Sequence, residues 1–111
     1  MCLFCDIAAG KIPSKIAYAD DSVVAFHDIA PQAPVHLLVI PRKHIESAHA
    51  LTEADEPLLG HMFAVARQLA EETGTAKSGY RLITNVGADA GQSVPHLHLH
   101  LLGGKQMKWE N

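Results

Sequence analysis

No stretch of this 111-residue chain approaches the roughly 18 consecutive apolar residues of a membrane-spanning helix, which excludes an integral helical membrane protein. The opening "MCLFCDIAAGKIPSK" lacks a basic lead-in followed by a long apolar segment, so no targeting segment is read there and a soluble, cytoplasmic protein is expected. Runs of Lys or Arg are absent too, and 9 basic against 12 acidic residues leave a net charge of −3. That balance argues against a nucleic-acid polymer as the main partner and suits a small ligand better. Cysteine is scarce: only 2 occur, at positions 2 and 5, which excludes a disulfide scaffold and turns attention to metal or redox use. There is no internal repeat, low-complexity segment or linker, and the length fits one domain with a buried core.

What the chain does have is histidine, 8 in all, and three of them alternate in "SVPHLHLHLLGG". On an extended backbone His96, His98 and His100 share one face while Leu97, Leu99 and Leu101 share the other. The leucine face belongs to a core. A histidine face could be the wet side of a half-buried strand, but Lys, Glu and Thr are the ordinary choices there, and three imidazoles in register point to ligands, bases or nucleophiles.

The remaining elements follow from local signals. Residues 3–9 make two helical turns ended by Gly10 in a left-handed conformation, with Pro13 beyond. Residues 16–19 and 23–27 read as a hairpin around Asp20 and Asp21, "IAPQAP" as a loop, and "VHLLVIP" as a buried strand closed by Pro41. Thr52 caps one long helix, Glu53 to Thr73, whose Leu58, Leu59, Met62, Phe63, Val65, Ala66, Leu69 and Ala70 recur at core spacing. Tyr80–Val86 and Pro95–Leu102 read as strands around the small-residue loop "GADAGQS". The order α, β, β, β, α, β, β describes an α+β domain with a mainly antiparallel sheet. Beside the histidines, Gly87 and Gly91 open backbone N–H groups to close approach, and Asn85, Gln92 and Ser93 add side-chain donors, a set suited to an anion the size of one phosphate.

"HLHLHLL" resembles the His-x-His-x-His-x-x signature of the histidine triad (HIT) nucleotide hydrolases and transferases. The likeness, closest to the HINT branch, continues through "FHDIAPQAPVHLLVIPRKHI", "GYRLITNVGADAGQSV" and "GGKQMKW". It implies a single HIT domain over residues 1–111, with a five-stranded, mainly antiparallel sheet, one long helix and one or two short ones. The sheet would be continuous across a homodimer, with the tail, about 103–111, near the interface. It also implies hydrolysis of P–N or P–O bonds of purine nucleoside monophosphate derivatives through a nucleotidyl-histidine. In this pattern His98 is the nucleophile, His100 binds phosphate oxygens with Asn85 and Ser93, Ser93 also serves the leaving amine, and His36 supports the triad from behind. Leu3, Phe4, Ile7, Phe26 and Ile29 form the purine slot, Asp28 accepts the ribose hydroxyls, and His27 contributes through its backbone. Gly91 and Gln92 belong to the phosphate loop, and Trp109 reaches the partner subunit's site. The ending "WEN" lacks the proline-rich tail of the animal members, which leaves leaving-group preference open. His49 and His61 match nothing functional and are expected at the surface.

The C-x-x-C resembles that of bacterial members that bind zinc, implying Cys2, Cys5, His44 and His96 as a closed, structural set with no role for metal in catalysis. Two buried free thiols are the alternative. The leading expectation is a purine nucleoside phosphoramidase acting on AMP- or GMP-amides, AMP-lysine-like compounds included. A dinucleoside polyphosphate hydrolase, or a nucleotide- or partner-binding module with incidental turnover, are the alternatives.

Overall fold

The computed structural model describes residues 2–109. Its first element, helix α1 (Leu3–Ala8), is started by Cys2, whose Sγ accepts the Cys5 N–H at 3.3 Å, and Gly10 at φ +76° turns the chain away after it. Strands β1 (Ile16–Ala19) and β2 (Val23–His27) form the expected hairpin. Asp20 holds its turn: Oδ1 accepts the N–H groups of Ser22 and Val23, both at 2.8 Å, and Oδ2 accepts the Tyr18 hydroxyl at 2.6 Å. His61, its side chain 42% exposed and so at the surface as expected, lies 2.6 Å from the same Oδ2 and links this turn to the long helix.

Strand β3 (Val35–Pro41) leads to a loop and then to helix α2 (Glu56–Glu72). Asp55, buried, accepts the Thr52 N–H and hydroxyl and the Lys43 ammonium, which hold its carboxyl below the usual range and fix the start of the helix. Met62, Val65, Ala66, Leu69 and Ala70 are the buried stripe of α2, whereas Phe63 is exposed, so the expected core position at 63 is corrected. It neighbours Met62 in sequence but lies about 100° around the helix, off the core-facing arc. A short helix α3 (Thr75–Ser78), which local signals did not announce, precedes strands β4 (Tyr80–Ile83) and β5 (Leu99–Gly103).

All five strands are antiparallel in the order β1-β2-β3-β5-β4. One sheet face carries Val23, Ala25, Leu37, Val39, Leu99 and Leu101 against α2; the other packs Val24, Phe26, Leu38 and Ile40 against Phe4 and Ile7 of α1. Leu37 and Leu101 are fully buried, and truncating either to Ala costs about 2–5 kcal/mol.

Two strands are shorter than the sequence suggests. Strand β4 stops at Ile83, opposite His100, and from there the Thr84 hydroxyl donates to the His98 carbonyl at 2.9 Å in place of a ladder. Strand β5 begins at Leu99, not Pro95, because Pro95 has no N–H, His96 N–H turns back to the Val94 carbonyl and Leu97 N–H goes to Ile45. Gly103 closes β5, so the tail leaves the sheet at Gly104; residues 110–111 lie outside the described part. No helix among the described residues is long and apolar enough to cross a membrane.

Candidate active site

Strand register builds the site. Phe26 pairs with Leu38, Leu38 with His100 and His100 with Ile83, a row running across four strands on the α1 face. Helix α1 covers the β2 and β3 end of that row, leaving His36 and His100 at the border between covered and open sheet. The alternation of the histidine segment survives its loss of ladder pairing: Leu97 joins Leu99 and Leu101 in the α2 core, while the His98 ring lies 5.0 Å from His100 and 5.1 Å from Phe4.

Backbone partners set the protonation pattern of each ring. The Gln32 N–H donates to His36 Nδ1 at 3.0 Å, so neutral His36 carries its proton on Nε2, 2.9 Å from His100 Nδ1 and 3.4 Å from Asp28 Oδ2. His100 Nδ1 is then an acceptor, which puts the His100 proton on Nε2. His98 Nδ1 lies 2.7 Å from the His96 carbonyl, which can only accept; Nδ1 therefore carries a proton, and in the neutral ring Nε2 is the bare nitrogen. His100 is pushed down to about 4, by burial first and then by His98 and His36, with Asp28 opposing. Burial likewise lowers His36, against the pull of Asp28. Both rings are neutral at pH 7.

A cavity of about 410 Å³ is lined by Leu3, Phe4, Ile7, Phe26, His27, Asp28, Ile29, Ser93, His98 and His100, bringing together the residues expected of the purine slot, the ribose carboxylate and the reacting end. Ile12, Pro13, Ser14 and Val94 line it as well, and nothing in their local sequence marked them; only the approach of the 12–14 turn to α1 does. Asp28 is more tightly held than expected: Oδ1 accepts the Ala30 N–H at 2.8 Å while Oδ2 faces His36. On the other side of His36 and His100 lies a second cavity of about 570 Å³, bordered by Gln32, Arg81, Ile83, Asn85 and the tail from Lys105 to Lys108. Asn85, two residues past the end of β4, is thus on this second side, and Trp109 is 91% exposed and lines neither cavity.

The phosphate-loop donors differ from expectation. Gly87 N–H donates to the Gln92 side-chain oxygen, Gly91 N–H to Ala88, and Gln92 N–H to Gly87. The Gln92 amide donates to the carbonyls of Glu46 and Val94. In this conformation these groups hold the loop together and present no open donor; Ser93 and Asn85 keep side-chain donors without a partner among the described residues.

Below His98, Cys2, Cys5, His44 and His96 converge with their ligand atoms all within 4.8 Å of one another. His44 and His96 Nδ1 lie 3.3 Å apart, and the sulfur-to-nitrogen distances are 3.2, 3.3 and 3.4 Å. Tetrahedral zinc with Zn–N of about 2.0–2.1 Å and Zn–S of about 2.3 Å has ligand edges of about 3.3–3.8 Å, so the set fits that ion. His96 Nε2 donates to the Pro41 carbonyl at 2.8 Å, freeing Nδ1 as the ligand atom. Burial and Cys2 raise the Cys5 thiol, the penalty a bound cation removes. Asp28, His36 and His100 also cluster, but the Gln32 hydrogen bond keeps His36 Nε2 protonated and therefore a donor, not a ligand.

The HIT domain model matches residues 9–107. The chain is 47% identical over 105 residues, 95% of its length and 88% of the relative's, to a purine nucleoside phosphoramidase of Escherichia coli K12. Its structure is similar to that of a HIT family hydrolase from Legionella pneumophila, with a TM-score of 0.97 and 48% identity over 99% of this chain and 98% of the other. A histidine triad nucleotide-binding protein from Candida albicans is similar at a TM-score of 0.84 and 28% identity, covering 100% and 84%. With its histidine run, its sheet register and these relatives in agreement, the chain belongs to the HIT domain family.

Proposed function

We propose that this chain is a purine nucleoside phosphoramidase, hydrolysing P–N bonds of nucleoside 5′-monophosphate amides through a nucleotidyl-His98. The observation that carries the reading is the bare Nε2 of His98, fixed by the His96 carbonyl, on a ring lining an apolar cavity that ends in a carboxylate. Nε2 attacks phosphorus and the P–N bond breaks. The His96 carbonyl stabilises the positive charge that appears on the imidazole. Neutral His100 donates from Nε2 to a phosphate oxygen, with His36 and, upstream of it, Gln32 fixing that tautomer. Ser93 passes its proton to the departing amine; water then attacks the nucleotidyl-imidazole and its proton returns to Ser93, releasing the monophosphate and restoring both Ser93 and His98. The base occupies the slot of Leu3, Phe4, Ile7, Phe26 and Ile29, with His27 alongside. Asp28 accepts the ribose hydroxyls, Asn85 reaches phosphate from the second cavity, and Gly91 and Gln92 act by shaping the loop that presents Ser93.

Cys2, Cys5, His44 and His96 are the residues that would hold zinc; when bound, the ion neutralises the thiolates and cross-links three segments. Four protein ligands leave no position for substrate. Two thiols held as ligands suit the reducing cytoplasm. We also propose one HIT domain over residues 1–111 and a homodimer whose sheet continues through the free edge of β4, with exposed Phe63 of α2 in the interface and the tail with Trp109 reaching the other subunit. A monomer by sedimentation at micromolar concentration contradicts that assembly.

The second cavity is room the sequence did not announce, and it favours one competing reading, a dinucleoside polyphosphate hydrolase. Turnover of AMP-NH₂ and diadenosine polyphosphates side by side separates the readings. A phosphoramidase prefers the amide, and His98→Ala lowers its rate by more than the ~10²–10⁴-fold of acid–base help alone while AMP still binds. Faster polyphosphate cleavage, or a tenth of the rate kept by His98→Ala, contradicts the proposal.

A further inference from the structure

The thiol cluster and the reacting histidine are joined by three short paths. His96 is the first: its ring meets Cys2, Cys5 and His44, while its main-chain carbonyl receives the His98 Nδ1 proton at 2.7 Å. Helix α1 is the second, since Cys2 and Cys5 bracket its first turn and Leu3, Phe4 and Ile7 on it line the nucleotide cavity. The third is the Phe4 ring, edge-on to His96 at 6.0 Å and to His98 at 5.1 Å.

The rest of the support for His98 comes from single hydrogen bonds, not from a strand ladder. Residues 92–98 belong to no strand, and β5 pairs with its neighbours only from Leu99 onward. Beyond the His96 ring, the stretch is held by His96 N–H to Val94, Leu97 N–H to Ile45, the Thr84 hydroxyl to the His98 carbonyl, and the Gln92 amide to Val94. The Leu97 N–H bond to Ile45 holds the peptide group that carries the His96 carbonyl, the acceptor that chooses the tautomer of His98. The His96 ring holds the same residue from its side chain, anchored on one nitrogen by Pro41 and on the other by the cluster.

We propose that Cys2, Cys5, His44 and His96 act together as positioning residues for the reaction, holding His98 in its Nδ1–H form and Phe4 against it. The proposal rests on His98 being the nucleophile and adds how its reactivity is controlled. A cluster serving stability alone would change the melting temperature and leave the surviving folded protein with normal affinity, normal kcat and one His98 tautomer. A positioning cluster alters all three, because it sets both the purine slot and the bare nitrogen.

The test is the Cys2→Ser/Cys5→Ser double variant, which keeps an oxygen acceptor at the helix start but offers poor metal ligands. Below its melting temperature, nitrogen-15 NMR of the His98 ring should show mixed tautomers in place of one. AMP affinity and kcat should each fall by about 3- to 10-fold, the worth of one net hydrogen bond. A folded variant with wild-type His98 shifts and wild-type AMP affinity overturns the proposal. If the variant does not fold, wild-type protein capped on both thiols with a methanethiosulfonate, verified by intact mass, carries the test. The same changes should appear and reverse with dithiothreitol, and full capping without them overturns the proposal. Failure of the functional reading looks different: wild-type protein would then turn over no nucleotide amide, while the tautomer signature still decides the coupling.

Discussion

Acidification from pH 7 to pH 5 should cost this protein stability largely through His100, and the size of the loss follows from its surroundings. Its folded value is pushed down to about 4 by burial and by two neighbouring imidazoles, against about 6.5 in the unfolded chain. The unfolded state therefore binds the proton first. Stability is complete above about pH 6.5 and is lost as the pH falls toward 4. At pH 5 the full shift corresponds to about 2 kcal/mol; His100 keeps part of its surface in solvent, which reduces the expectation to about 1–2 kcal/mol. Asp20 and Asp55, whose folded values are lowered, stay ionised in both states across this window and lose their contribution only below their unfolded value near 3.8. The assay is urea unfolding of wild type and His100→Gln at both pH values. The variant is less stable at pH 7, having lost the His36 contact, but its stability should fall by about 1–2 kcal/mol less between pH 7 and 5. The thiol cluster is common to both proteins and cancels in that difference. Parallel stability curves would refute the claim that His100 is neutral because it is buried among imidazoles.

Ser93→Ala should slow hydrolysis of basic amine leaving groups by about 10- to 150-fold, the worth of a hydrogen bond to a charged group, and spare an activated ester; equal slowing of both removes Ser93 as the leaving-group donor. Gly103→Ala should destabilise the fold by about 1–3 kcal/mol, because a Cβ there would lie 2.6 Å from the Thr75 methyl and 2.8 Å from its Cβ. Thr75→Ser, which removes only the methyl, should return part of that loss in a double variant, and strict additivity in urea titrations contradicts the clash. Protein purified without chelator should carry close to one zinc per chain, and Cys5→Ser should lower the melting temperature; metal-free protein with unchanged stability in chelator leaves the cysteines as ordinary thiols.

Much of this architecture was legible because its signals are local. The alternation of leucine and histidine from 96 to 101 assigned two faces that hold even where the ladder does not. Gly10 and Thr52 marked helix ends, and the purine-slot residues named from the family resemblance line one cavity. What escaped depends on partners distant in sequence. Gln92 looks like a free donor until Glu46, 46 residues away, takes its amide. Tyr80–Val86 reads as one strand until the bend at 94–96 leaves nothing for its second half to pair with. Phe63 reads as core because periodicity counts apolar residues and does not say where the sheet lies. The tautomers of His36 and His98 were beyond reach for the same reason, each being chosen by a main-chain group brought close by folding.

The central claim is that the bare Nε2 of His98 attacks phosphorus, and quenching into alkaline denaturant, which spares the acid-labile P–N bond of a nucleotidyl-imidazole, during turnover of a slow AMP-amide tests it most directly. Intact-mass and peptide analysis should find one adenylyl group on the peptide carrying His98, absent in His98→Ala and absent when substrate is omitted. Turnover with no adduct at any quench time, while His98→Ala retains activity, contradicts the account.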